Sequence, residues 1–339
     1  MQRVALAKPD GRQLILYSRR AIRHGPAPSP FAAPLAGRPA LRWHPLRGEW
    51  VTYAAYRQDR TFLPPPEYNP LAPTADPAQP TELPAGDWEI AVFDNRFPAL
   101  LPPQGKCEVV VFTQDPSTSL GALPLERIEL LFEVWAERTE RLGAMPQVRY
   151  VLPFENRGQE VGVTLHHPHG QIYAYPVVPP VPARMLAQPH EGRLEHVIRR
   201  ELDERARLLY RGEHAVAFVP FCARYPYEVW VAPIARVESF AELDAAVRGD
   251  LARALKTVLL KYDGLWGRPM PYLMAWFQAP TGGARHPGAH LHAELYPPYR
   301  TRERLKYLAG TELAAGFFAM DALPEDKARE LQQVEVRLA

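Results

Sequence analysis

The chain has 339 residues, with 40 Lys and Arg against 38 Asp and Glu, and two cysteines. A formal charge of +2 argues against a nucleic-acid binder, because Arg19-Arg20 and Arg199-Arg200 are isolated pairs and form no basic stripe. Two cysteines exclude a disulfide framework and an all-Cys zinc site, and no apolar run reaches the ~18 residues of a membrane span. Met1-Gln2-Arg3-Val4 lacks the basic-then-apolar order of a signal peptide, so a cytoplasmic protein is expected. The length suggests about two domains.

The 38 prolines concentrate in 26–45, 64–84 and 176–182. These stretches read as extended loops, because proline fixes φ and removes a backbone donor. Between them, runs rich in β-branched and aromatic residues predict strands at 89–93, 107–112, 148–154 and 171–175. Ile128, Leu131, Phe132 and Trp135 recur at helical spacing and predict a helix over 125–142; 194–209 and 243–262 read the same way. The order then repeats. Ala91-Val92-Phe93-Asp94-Asn95-Arg96-Phe97-Pro98 compares with Ala217-Phe218-Val219-Pro220 and Arg224-Tyr225-Pro226, and each is followed by a strand and an amphipathic helix. Each half closes on a similar peptide, His167-Pro168-His169-Gly170-Gln171-Ile172-Tyr173 and His290-Leu291-His292-Ala293-Glu294-Leu295-Tyr296. Two copies are too few for a solenoid. The pattern predicts an α+β fold by internal duplication, an antiparallel-rich sheet with flanking helices, in two fused units at 1–190 and 191–339.

The first closing peptide can carry chemistry. Residues at i, i+2 and i+4 of an extended chain share a face, which groups His167, His169 and Gln171. Three polar side chains on an otherwise apolar strand are costly to bury unless they meet a polar ligand. Neutral imidazole is a nucleophile near neutral pH, and its phosphoramidate is labile. Gln171 can donate an amide N–H to a phosphoryl oxygen, where a phosphoryl-transfer site must stabilise charge. The bare H-x-H spacing equally suits a metal pair or two structural histidines.

The wider string is Phe154-Glu155-Asn156-Arg157-Gly158, then Gly162-Val163-Thr164, then His167-Pro168-His169-Gly170-Gln171-Ile172. It resembles the galactose-1-phosphate uridylyltransferases of the histidine-triad superfamily, whose pattern is close to F-E-N-[KR]-G-x3-G-x-[ST]-x2-H-P-H-x-Q-I. Pro45-Leu46-Arg47-Gly48-Glu49-Trp50-Val51 is similar to the family's N-terminal segment. Arg57 and Arg60 fall at its arginine pair, Phe93-Asp94-Asn95-Arg96-Phe97 at its nucleotide-side segment, and His290 to Pro298 at its H-x-H-A-x-x-Y-P-P. Together these cover about residues 41–312 in family order. The resemblance implies a duplicated histidine-triad unit and a ping-pong reaction. His169 would attack the α-phosphorus of UDP-glucose, glucose 1-phosphate would leave, and galactose 1-phosphate would take the uridylyl group from the histidine. The resemblance places His169, Gln171 and His167 in the catalytic set. It assigns Asn156 and Thr164 to phosphate or sugar oxygens, Asn95 to the nucleotide, Arg57 and Arg60 to positive charge, and Lys306 and Glu312 to the sugar side. It also implies a homodimer, with UDP-glucose and a hexose 1-phosphate as substrates.

The chain departs from the family at its metals. Metal-containing members carry C-P-x-C where this chain has Asn69-Pro70-Leu71-Ala72, and a His where it has Pro116. With Asn69, Ala72 and Pro116 in three of four ligand positions, only His167 remains, and one imidazole does not hold structural zinc. No zinc and no other cofactor is expected. A second metal site keeps His290 and His292, but its third His falls in Trp276-Phe277-Gln278-Ala279-Pro280 and its Glu near Met185. Two ligands of four remain, so the pair reads as a remnant of duplication, or as a metal site that His286 would complete if the loop at Gly282-Gly283 folds back. Rival readings on the same fold are a nucleoside-diphosphate-sugar phosphorylase and a dinucleoside polyphosphate hydrolase, which differ in the acceptor. A nucleotide-binding module without catalysis is a third, and it would not require His169 and Gln171. Residues 1–40 match nothing in the family pattern; a cap over the site is one reading of them.

Overall fold

Fifteen strands and five α-helices occur among residues 1–35, 37–59, 64 and 68–338, which the computed structural model describes. A leading pair, β1 (Gln2–Ala7) and β2 (Gln13–Ser18), is followed by the hairpin β3 (Ala40–His44) and β4 (Glu49–Tyr53). The next unit is β5 (Ile90–Asp94), β6 (Lys106–Val111), α1 (Leu125–Gly143), β7 (Tyr150–Arg157) and β8 (His169–Tyr175). Helices α2 (Pro180–Leu186) and α3 (Leu194–Glu204) lead to β9 (Leu208–Arg211), β10 (Ala215–Phe218), β11 (Val229–Pro233), α4 (Ala245–Leu265), β12 (Tyr272–Phe277) and β13 (His292–Tyr296). The short pair β14 (Tyr299–Thr301) and β15 (Arg304–Leu305) and helix α5 (Pro324–Gln332) come last.

Eleven of these strands form one antiparallel sheet in the order β1-β2-β5-β6-β8-β7-β12-β13-β11-β10-β9. Read outward from its centre, β7-β8-β6-β5-β2 and β12-β13-β11-β10-β9 follow the same chain order. The duplication seen in the sequence is thus a duplication of topology. The two sets meet where β7 pairs with β12, Phe154 opposite Ala275 and Arg157 opposite Tyr272.

Two helix boundaries differ from the pattern. The helix expected over 194–209 stops at Glu204, because Arg205 turns left-handed at φ 60° and Leu208–Arg211 enters the sheet. The apolar pair Leu208-Leu209 extends the helical spacing by chance into an edge strand. The helix expected from 243 begins at Ala245, where the Asp244 carboxylate accepts from the Val247 N–H and caps it.

One face of the sheet packs against α1 and α4. Ile128, Leu131, Phe132 and Trp135 of α1 share a core with Leu251, Leu255 and Val258 of α4, and with residues of β8 and β13. Phe132, Trp135, Phe240 and Trp276 form an aromatic cluster with ring centroids 5.0–5.9 Å apart. A fully buried Leu or Phe contributes about 1.5–3 kcal/mol, so truncating Trp276 at this junction would cost at least that. Strand alternation sends Gly170, Ile172 and Ala174 toward the helices and His169, Gln171 and Tyr173 to the other face. That other face is covered differently in the two sets. Leu71, Leu83 and Trp88 of the Pro-rich segment pack on the first, and Ile198 of α3 packs on Val216, Phe218 and Ala232 of the second. Among the described residues no helix is long and apolar enough to cross a membrane.

Candidate active site

On the face away from α1, a cavity of about 360 Å³ opens over β8. His169, Gln171, Val109, Phe93, Asn95, Phe97, Thr164 and Arg57 line it. The register explains the grouping, since β6 sets Val111 opposite His169 and Val109 opposite Gln171. Gly170 faces the core between them. A Cβ there would come 2.7 Å from the Phe154 carbonyl oxygen and 2.8 Å from the Phe112 ring, so glycine lets β8 lie this close.

His169 Nδ1 lies 2.7 Å from the His167 carbonyl oxygen. A carbonyl only accepts, so Nδ1 carries the proton and Nε2 holds the lone pair. Burial pushes the His169 pKa below its ordinary 6.5, against the opposing pull of that backbone bond. The ring is therefore neutral and nucleophilic at neutral pH. Beside it, Asn95 Nδ2 donates to Gln171 Oε1 at 3.2 Å. The Asn95 oxygen accepts the Phe97 N–H at 2.8 Å, which fixes the amide's orientation. Gln171 thus keeps its NH₂ as a donor for a ligand. Arg57 donates to the Phe97 carbonyl at 2.6 Å. Asn156 lies outside the lining, on β7 two residues beyond Phe154, which pairs with Gln171. Its Oδ1 is buried without a partner among the described residues, an acceptor that a substrate hydroxyl can satisfy. Arg60 lies outside the described residues.

Three expected residues are placed elsewhere. His167 does not share the cavity with His169. It precedes β8, beyond Pro168, and is 2% exposed. Its Nε2 donates to the Thr113 carbonyl at 2.7 Å, and its Nδ1 accepts from Asn69 Nδ2 at 2.9 Å. Period-2 alternation applies inside a strand, and His167 is not in one. Lys306 and Glu312 are 3.5 Å apart but do not line the cavity. Lys306 donates to the Ala319 carbonyl. Glu312 accepts backbone N–H groups of Ala309 and Ala319, and backbone donors hold its pKa down to about 2.

One wall of the cavity comes from the 1–40 segment, where the sequence pattern singles out no residue. Phe31 lines it, edge-to-face with Phe97 at 6.1 Å. The Arg96 guanidinium lies 4.3 Å from the Phe31 ring and donates to the Ala33 carbonyl. Ser29 anchors this segment by donating to Asp10 and accepting the Phe31 N–H. A lone Phe in a Pro-rich run carries no periodic signal, so only the tertiary contacts reveal it.

The residues around His167 do not fit a structural metal ion. Both His167 nitrogens are engaged in hydrogen bonds, and Asn69 meets the ring with an amide where a thiolate would be needed. Ala72 and Pro116 offer no ligand atom. In the second half, His290 Nε2 donates to the Pro233 carbonyl at 2.9 Å and His292 Nδ1 to the His290 carbonyl at 2.7 Å. His292 Nε2 faces Glu294 at 3.4 Å, and Phe277 stacks on the His292 ring at 5.3 Å. Among the described residues the only cluster of three or more prospective ligands is His190, Glu195 and His196, which includes neither pair.

Known proteins are similar to this chain over most of its length. The family model described as galactose-1-phosphate uridyl transferase, N-terminal domain, matches residues 94–179, and its C-terminal counterpart matches 185–337. The galactose-1-phosphate uridylyltransferase of Thermotoga maritima is 37% identical over 324 residues, covering 88% of this chain and 99% of the relative. That of Rattus norvegicus is 31% identical, covering 86% of each. A solved uridylyltransferase superposes with a TM-score of 0.76 at 32% identity, over 87% of this chain and 97% of its own. A free imidazole nitrogen in a duplicated sheet and two family models across the chain agree: the chain belongs to the galactose-1-phosphate uridylyltransferase family of nucleotidyltransferases.

Proposed function

We propose that this protein transfers the uridylyl group of UDP-glucose to galactose 1-phosphate through a covalent intermediate on His169. The observation that carries this reading is the bond from His169 Nδ1 to the His167 carbonyl, which leaves Nε2 as the only lone pair of the ring. Nε2 attacks the α-phosphorus; the P–N bond forms and the bond to the bridging oxygen breaks, its electron pair leaving on glucose 1-phosphate. The imidazole gains positive charge, and the carbonyl on Nδ1–H stabilises it. Gln171, held by Asn95, donates to a non-bridging oxygen. A phosphate oxygen of galactose 1-phosphate then attacks, and the P–N pair returns to Nε2. No proton need move at His169 in either step.

The working assembly in this reading is a homodimer. Lys306 and Glu312 do not reach the cavity of their own chain, so a sugar-side role for them requires a second copy. The hairpin β3–β4 exposes Trp43, Trp50 and Tyr53, and the 306–317 loop exposes Tyr307, Leu313 and Phe317. Arg47 donates to the Leu313 carbonyl and joins the two into one apolar surface.

Intact mass after mixing with UDP-glucose alone tests the chemistry, with His169→Asn as control. One uridylyl group gained by the wild type only, and discharged by galactose 1-phosphate, is the expected result. Discharge by phosphate or by water would replace the transferase with a phosphorylase or a hydrolase. No gain would remove His169 as the nucleophile.

A further inference from the structure

We infer that Asn69 is a positioning residue for the nucleophile, and that its hydrogen bond to His167 does the work a metal ion would otherwise do at this place. The inference rests on the assignment of His169 as the reacting group. Its first support is the logic of the bonds. His167 Nε2 faces a carbonyl and must donate, so Nδ1 is an acceptor. Asn69 Oδ1 accepts the Leu71 N–H at 3.0 Å, which leaves its NH₂ for His167 Nδ1 at 2.9 Å. Every atom on the path has one permitted role. The main-chain carbonyl of the residue so fixed is the acceptor for His169 Nδ1–H. Held from both ring nitrogens, His167 pins the turn before β8, and with it the aim of the His169 ring that its carbonyl holds.

The second half supplies the control. His290 occupies the place of His167 and donates to Pro233 as His167 does to Thr113. Its Nδ1 is buried and has no partner among the described residues. A half without a free nucleophile lacks the supporting amide; the half with one has it. The support belongs with the reactive ring and not with the fold they share. It also lies on the Pro-rich segment, which the duplication does not repeat.

The test reads metal, tautomer and rate separately. Purified wild type should contain no stoichiometric metal by inductively coupled plasma mass spectrometry, and its activity should survive chelator. In ¹⁵N-histidine spectra His167 should appear as the Nε2–H tautomer and His169 as Nδ1–H. Asn69→Ala should lower the rate of enzyme uridylylation by about 10–100-fold, with KM for UDP-glucose nearly unchanged and the His167 tautomer no longer single. Asn69→Cys with Ala72→Cys and Pro116→His should take up one zinc. One equivalent of metal in the wild type, lost with His167→Ala, would overturn the proposal. So would an Asn69→Ala variant with wild-type rate and tautomers. A wild type that never becomes uridylylated would sink the proposed reaction, while metal content and tautomers would still judge Asn69.

Discussion

The two halves place a histidine at the same point of the same strand, and each donates Nδ1–H to the carbonyl two residues before it. They part at the other nitrogen. His169 Nε2 belongs to a cavity wall with Gln171, whereas His292 Nε2 meets the Glu294 carboxylate under the Phe277 ring. Glu294 is itself engaged by Arg224 and Tyr296. The strand and its turn therefore set the tautomer in both copies, and the copies differ in what surrounds the remaining lone pair. In the proposed reaction, the amide in place of a carboxylate and the absence of a covering aromatic set the His169 ring apart from its counterpart.

The sharpest way to break this comparison is to remove each histidine in turn. His169→Asn should lower transfer by about 10⁴-fold or more, while His292→Asn should change it by less than about twofold, read as glucose 1-phosphate released per enzyme. Comparable losses from both would mean that the second half takes part in chemistry. Next, Gln171→Glu copies the silent half into the reactive one. The new carboxylate repels the phosphoryl oxygens and withdraws a donor, so kcat should drop by about 10²–10³-fold, with nucleotide binding by calorimetry weakened less.

A pH titration sharpens the same contrast through stability. Burial pushes His290 down to about 4, below the ordinary 6.5 of an unfolded histidine. Between these values the unfolded chain binds the extra proton, so stability falls as pH drops from 6.5 toward 4 and this contribution levels off below. The loss from His290 alone is about 3 kcal/mol. Urea midpoints for wild type and His290→Leu should converge across that window; parallel lines would show that His290 is not the group responsible. The smallest effect concerns the wall of the cavity. Phe31→Ala should raise KM for UDP-glucose by about 2–10-fold with kcat held, and an unchanged KM would detach the N-terminal segment from binding.

Much of the fold was legible. The β-branched runs led to β5–β8, and the repeated closing peptide led to the mirrored strand order. The boundary at Arg205 was not legible, because a left-handed residue other than glycine leaves little local signal. In the site, His169 and Gln171 followed from alternation, which holds within a strand. His167 escaped that rule because it lies outside β8. Asn69 and Phe31 were illegible as contacts, since each reaches the site from a Pro-rich loop whose path depends on distant hydrogen bonds. Asn69 entered the sequence argument only as a missing thiolate; in the fold it is a donor.

The pairing of β7 with β12 makes the silent half more than an inheritance. Trp276 of β12 sits in the aromatic cluster beneath α1, and β12 closes the open edge of the strand that carries Asn156. A chain cut after Tyr175 would leave Phe154 to Arg157 with unpaired backbone groups beside the nucleophile. Damage to β12 would therefore be read out as lost turnover, with no reacting atom touched.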